Sequence, residues 1–239
     1  MVDHYIIQTF SSEWWIATSI TSIIIIFILQ LGLYLNVSFN SKLTKLIGII
    51  LIGRFILIHP YQYYFLEIWS MKSSLPLHLC GLSAILSGVL LFWKNQFFYE
   101  CLFYWGLCGA IHSILTPEMT NGNQGLMYFE YYVSHGGIIL SALYLTAVIG
   151  MKPRVNSWLK VFIVSQLLIP VIGGINMLLN SNYLYLSHPP EVNNPIIDFI
   201  REQPKLIYVI FIDLVALLHF YILYMVMNIK TFKSVRNFV

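Results

Sequence analysis

"WWIATSITSIIIIFILQLGLYL", residues 14–35, runs for twenty-two residues without a charge. As a helix rising about 1.5 Å per residue it reaches about 33 Å, enough to cross a hydrocarbon core of roughly 30 Å. The rest of the chain has the same character. Of its 239 residues 58 % are hydrophobic and only 10 % charged, with a mean hydropathy of +0.75. Soluble domains carry about 25 % charged residues, and a water-surrounded core of this size has nowhere to hide so much apolar surface. The natural solvent is a bilayer. The formal charge of +3 is small and its Lys and Arg are scattered, which argues against a nucleic-acid partner. Three cysteines, all inside apolar segments, are too few for a disulfide framework. The leading "MVDHYIIQTFSSE" lacks a basic n-region and a small-residue cleavage site, so the first apolar segment reads as a retained span.

Seven windows are long and apolar enough to read as spans: approximately 14–35, 43–60, 75–93, 97–116, 127–150, 158–179 and 205–228. Pro, Gly and Asn punctuate the gaps. The expected fold is all-α, a polytopic seven-transmembrane-helix bundle forming a single transmembrane domain over 1–239. With the N-terminus outside, the inner segments hold Lys42, Lys45, Lys94, Lys152, Arg154, Lys160, Lys230, Lys233 and Arg236. The outer ones hold only Lys72, Arg201 and Lys205, beside Asp3, Glu13, Glu67, Glu118, Glu191, Asp198 and Glu202. Positive charge collects on the cytoplasmic side, so the expected orientation is N-outside and C-cytoplasmic.

On this topology the polar residues gather in the outer half of the membrane and the inner half is largely apolar. His59 closes the second span. His78 and Cys80 open the third, with Ser73 or Ser74 as its cap and Pro76 in its first turn. His112 lies near the outer end of the fourth, Glu130, Tyr131 and His135 near the outer start of the fifth, and Asn176, Asn180 and Asn182 where the sixth emerges. Ionisable groups inside spans are costly, and by default they are functional and face the bundle interior. Arg54 and Asp213 lie at similar depths and are expected to form a structural ion pair. His219 reads as a hydrogen-bonded packing residue, Cys101 and Cys108 as small core hydrophobes, and His4 and His188 as loop residues without a signal. Cys108 and His112 share a helical face, but no second pair has ligand spacing, so no metal site and no cofactor are expected.

A cysteine in an apolar helix is most often inert filler, and only its company argues otherwise. His78 cannot easily serve as its base, because two residues apart on a helix points side chains to nearly opposite sides. His135, at similar depth on another helix, is the better partner.

"LPLHLC" (75–80), "LTPE" (115–118), "YFEYYVSHGGIIL" (128–140) and "NYLYL" (182–186) resemble the YwaF-like bacterial integral membrane proteins. Those are similar to a eukaryotic multi-span acyltransferase that remodels ether phospholipids through a cysteine. The likeness covers roughly residues 55–190. One departure is plain: the family tends to carry a Gly-Pro-Trp-Pro run before its last helix, and "REQPKLIY" (201–208) keeps only Pro204. The resemblance implies that Cys80 is the nucleophile, His135 its catalytic partner and His78 an orienter or oxyanion donor. Asn182, with His59, His112, Glu130 and Tyr131, would line the substrate site.

The expected activity is therefore thiol-dependent acyl transfer or ester cleavage on a glycerolipid in the extracytoplasmic leaflet of a bacterial plasma membrane. The partners would be a phospholipid or other glycerolipid donor and a lipid, amine or water acceptor. The competing reading is a small-molecule transporter or seven-span sensor with a histidine-rich pocket. Transporters usually show internal repeats and midplane helix breaks, and neither is visible here. A non-catalytic subunit of a larger assembly is a third reading. Tyrosines at the same level (Tyr61, Tyr63, Tyr64, Tyr128, Tyr131, Tyr132, Tyr183, Tyr185) read mostly as an interfacial aromatic belt.

Overall fold

Ser11 starts the first helix: its side-chain oxygen accepts the Trp14 amide, and helix α1 runs over Ser12–Tyr34. The computed structural model describes residues 4–192 and 195–228. Asn36 caps α2, Val37–Tyr64, in the same way. There follow α3, Leu79–Phe92, α4, Gln96–Cys101, a π turn over Leu102–Gly106, and α5, Leu107–Leu115. Helix α6 is Met127–Ala147, α7 Ser157–Leu179, α8 the short Pro195–Arg201 and α9 Lys205–Asn228. The only strands among the described residues are β1, Tyr5–Ile6, and β2, Glu118–Met119. They pair antiparallel with Tyr5 opposite Met119 and Ile6 opposite Glu118. The protein is all-helical apart from this small ribbon.

Each of the seven expected windows contains helix, but the fit is uneven. Helices α1, α7 and α9 are long and apolar enough to cross a bilayer. Helix α2 extends beyond 43–60 at both ends and continues through Pro60. The third window is helical only from Leu79, so α3 is about 21 Å long, short of the roughly 30 Å core. Neither Ser73 nor Ser74 caps it. Ser74 instead accepts from the Ser70 amide, His78 is the residue at the helix start, and Pro76 lies before it. The segment folds back so tightly that a Cβ on Gly81 would come within 2.8 Å of Pro76 Cα, which only glycine allows. The fourth window is broken by the π turn. Of the charges behind the expected orientation, Asp3, Lys230, Lys233 and Arg236 lie outside the described residues.

Helix α6 is the hub, packing on α1, α2, α3, α5 and the π turn, while α7 and α9 pair beside them. Its glycines make this possible. A Cβ on Gly136 would stand 2.8 Å from Thr21 Cγ2 of α1, and one on Gly137 would collide with Leu51 of α2. Lipid tails are as apolar as the side chains they would replace, so close backbone approach at small residues is what holds such helices together. Around α6 the core comprises Leu90, Tyr99, Leu102, Tyr104, Ile138, Tyr144 and Leu145, all fully buried.

A buried polar cluster that the sequence reading did not single out centres on α4. Glu100 of α4 is fully buried (0 % exposed). It accepts from Arg154 Nε at 2.9 Å and Nη2 at 2.8 Å, from the Arg154 amide at 2.9 Å and from Gln96 Nε2 at 3.0 Å. Nearby, Tyr99 Oη bonds to Thr146 Oγ1 and donates to the Met151 carbonyl. Together these tie the start of α4 to the loop between α6 and α7. A second set joins Tyr144, Asn40 and Thr44. Buried carboxylates persist only when paired and hydrogen-bonded, and this one is saturated.

Arg154→Ala leaves that carboxylate buried without its counter-charge and without two of its four donors, keeping only the residue-154 amide and Gln96 Nε2. The expected loss is about 3 kcal/mol, at the low end for a broken buried pair because the arginine is 52 % exposed. The measurement is thermal unfolding in detergent. The double variant Glu100→Gln/Arg154→Ala should recover part of the loss, and a single variant that melts like the parent would refute the role given to the pair.

Candidate functional site

Cys80 lies one residue into α3, pressed against α5. A Cβ on Gly109 would stand 2.7 Å from its sulfur, so the glycine is what lets the thiol in. Sγ is 3.9 Å from Ser113 Oγ. The Ser113 hydroxyl donates to the Gly109 carbonyl at 3.0 Å, which leaves its lone pairs to accept the thiol proton. With that hydroxyl proton committed, the thiol is the donor in the Cys80–Ser113 contact.

Ser113 is also where α6 reaches the thiol. Tyr131 Oη donates to the Ser113 carbonyl at 2.8 Å and accepts from the Glu118 amide at 3.3 Å. One turn on, His135 packs its ring against Tyr131, centroids 4.3 Å apart, with Nδ1 2.8 Å from the Tyr131 carbonyl oxygen. A carbonyl only accepts, so Nδ1 carries the hydrogen. In the neutral imidazole Nε2 then holds the free lone pair. The elements α3, α5 and α6 thus join thiol and imidazole through one continuous set of contacts: Cys80, Ser113, Tyr131, His135. No direct Cys80–His135 hydrogen bond is present among the described residues. Catalytic hydrogen bonds are often formed only once substrate is bound.

His78 stands just outside α3 with its ring 5.3 Å from Tyr183 and 5.1 Å from Tyr185. These two tyrosines are not part of an aromatic belt. Tyr183 is fully buried, donates from Oη to the Met71 carbonyl at 2.7 Å and accepts from the Leu75 amide at 3.0 Å. Asn176, at the end of α7, fixes the same turn: its Nδ2 donates to the Tyr183 carbonyl and its Oδ1 accepts the Tyr183 amide. The "NYLYL" segment thereby holds the "LPLHLC" segment through backbone bonds. Asn182 is occupied with its own loop, accepting from the Ser187 and His188 amides and donating to the His188 carbonyl.

The expected Arg54–Asp213 pair is not formed. Arg54 Nη1 donates to Glu130 Oε1, and Asp213 accepts from Gln166 Nε2 at 2.7 Å. The reason is the hub: α2 packs on α6 and α9 on α7, so each charge takes the polar residue of its own neighbour. The Arg54–Glu130 pair is mostly buried, and Arg54 Nε has no hydrogen-bond partner among the described residues. His59 lies within α2 rather than at its end and accepts from Trp69 Nε1 at 3.3 Å. His112 departs from the cluster: its Nε2 is 3.1 Å from His219 Nε2 on α9. His219 Nδ1 donates to the Val215 carbonyl at 2.6 Å, so with both rings neutral His112 is the donor between them. His219 is the packing residue expected. All three cysteines are free, and Cys101 and Cys108 belong to the apolar core.

Ser113 was missed because its neighbour His112 carries the more conspicuous side chain, although the two point to different helices. The "LTPE" segment gave a usable signal for Glu118, whose amide binds Tyr131. Outside the spans, Tyr5 Oη donates to both Glu13 carboxylate oxygens at 3.1 and 3.0 Å. That hydrogen bond, helped by burial, raises the phenol above its usual range.

The model of the TMEM164 family matches residues 9–224. The chain belongs to that family of membrane proteins, and the match takes in every residue of the cluster just described. No curated protein and no solved structure matches it.

Tyr131→Phe removes the hydroxyl that serves both Ser113 and Glu118. The expected cost is about 1–3 kcal/mol, that of leaving buried backbone groups unpaired. Hydrogen exchange should show the Glu118 amide losing protection ahead of the α6 core, and unchanged protection there would refute the link.

Proposed function

Starting from a membrane protein of that family, we propose a membrane-embedded, thiol-dependent lipid acyltransferase with Cys80 as nucleophile and His135 as base. It is a multi-pass protein of seven spans in a bacterial plasma membrane, N-terminus outside, and its site lies in the extracytoplasmic half. The observation that carries the reading is the contact set Cys80–Ser113–Tyr131–His135 together with the fixed tautomer of His135. The likeness to the cysteine acyltransferase at "LPLHLC" and "SHG" supports it. So does the distribution of polar groups. Lys94, Lys152 and Arg154 gather at one end of the bundle, and the ribbon with Glu118 and Glu191 at the other.

When a glycerolipid ester enters beside Cys80, His135 Nε2 takes the thiol proton and the sulfur attacks the ester carbonyl. Donors aimed at the tetrahedral oxyanion, a role we assign to His78 from its place two residues before Cys80, stabilise it in a site screened from water. The C–O bond breaks, the imidazolium returns its proton to the departing lyso-lipid oxygen, and the acyl chain remains as a thioester on Cys80. A second lipid hydroxyl, an amine or water then attacks that thioester, with His135 again as base. The short α3 and the Pro76 fold-back leave the thiol at the helix start, an arrangement that suits a site at the level of glyceryl esters. The transporter or sensor reading called for a histidine-rich pocket; His112 is engaged with His219 on α9 instead of joining His78 and His135, which supports acyl transfer over it.

Incubated with phospholipid vesicles, the intact protein should gain the mass of one acyl chain, located on Cys80 by peptide mapping. Cys80→Ala and His135→Ala should each lower lipid turnover by about a thousandfold or more while leaving the folded yield unchanged. Full remodelling activity in Cys80→Ala would end the proposal.

A further inference from the structure

The ribbon at the outer end of the bundle brings together three side chains from segments far apart in sequence. His4 leads into β1, Glu118 belongs to β2, and Glu191 follows the turn Tyr183–Tyr185. His4 Nδ1 stands 2.8 Å from Glu118 Oε1 and 3.4 Å from Glu191 Oε2. One ligand atom from each of the three lies within 4.8 Å of the other two. For ligands about 2.0 Å from a tetrahedral zinc ion, ligand atoms stand about 3.3 Å apart, so the group needs only a small adjustment to close on one ion.

A second observation asks for a ligand. The Glu118 side chain is only 4 % exposed, and its other oxygen, Oε2, is buried with no hydrogen-bond partner among the described residues. Such an oxygen costs about 1–3 kcal/mol or more if left unsatisfied. Neither carboxylate is paired with a Lys or Arg among the described residues. The guanidinium that reaches the carbonyls on either side of Glu191 is already committed. Arg201 binds Asp198 at 2.8 Å and the Pro190 carbonyl at 2.9 Å. Two carboxylates, one of them buried, converge on a single imidazole that is a cation only when protonated.

We propose that His4, Glu118 and Glu191 form a binding site for a divalent cation of the zinc class at the extracytoplasmic face. One imidazole nitrogen and two carboxylates with an open fourth position is a donor set suited to zinc, whereas calcium takes six to eight oxygens and magnesium near-ideal octahedral oxygen geometry. The ion balances the buried charge and gives Glu118 Oε2 a partner. It also staples β1 and the segment carrying Glu191 onto β2. Through the Glu118 amide and Tyr131 it is connected to the Ser113 carbonyl beside the cysteine site. The cation site stands or falls independently of what Cys80 does.

The test uses the full chain in detergent, stripped with a chelator and titrated with zinc chloride in excess magnesium and calcium, with metal content read by mass spectrometry. The expected result is one zinc per chain. His4→Ala and Glu191→Gln, both at partly exposed side chains (30 % and 58 %), should each weaken binding by more than about a hundredfold, beyond the 10–100-fold typical of outer-shell losses. Melting of the stripped variants checks that they fold. His188→Ala, in a neighbouring loop, should bind zinc normally. Failure to take up stoichiometric zinc, or uptake that neither variant reduces, would overturn the site and leave an ordinary His4–Glu118 ion pair. Displacement of zinc by calcium at similar concentration would overturn the metal class.

Discussion

The close approach of α6 to its neighbours is the constraint on which the rest depends. In lipid, helices gain little by burying apolar surface against each other, so contact must come from packing and from polar groups that have nowhere else to bond. Gly136 and Gly137 bring the α6 backbone against α1 and α2. The same helix carries His135 next to Gly136, and Tyr131 and Glu130 about one and a half turns nearer its start. From that position Glu130 meets Arg54 of α2, Tyr131 reaches the Ser113 carbonyl of α5, and His135 packs on Tyr131. Architecture and chemistry meet on one helix.

Much of the fold was legible because a membrane imposes one rule on the backbone. Every polar group must be satisfied within the segment, so a long apolar run becomes a helix. The uncharged stretch at 14–35 and its counterparts at 158–179 and 205–228 obey that rule plainly. What periodicity could not show was where the helices are interrupted. Pro76 was read as an ordinary first-turn proline, yet its fold-back over Gly81 shortens α3 and moves Cys80 to the helix start. The π turn has no compositional mark at all. The β1–β2 ribbon is too short to leave an alternating pattern.

The site was legible in its members and not in its pairings. Cys80, His78, Tyr131 and His135 stood out as polar groups at one depth. Depth alone could not choose between Glu130 and Asp213 for Arg54, because that is decided by which helices touch. Ser113, Tyr183 and Asn176 act through backbone bonds, and nothing in a side chain's identity announces that. Glu100 lies inside the fourth window and was not singled out, while the lysines and the arginine near it counted only toward orientation.

The π turn between α4 and α5 has a geometric consequence. One additional residue in a helix advances everything after it by about 100°. Before the turn, Glu100 and Tyr99 are aimed at Arg154 and Thr146. Beyond it, Ser113 meets Cys80 and Tyr131 while His112 meets His219. A regular helix through residues 102–106 could satisfy one of these alignments but not both. The irregularity works as a gear offset, letting a single rod engage two sets of teeth cut at different phases.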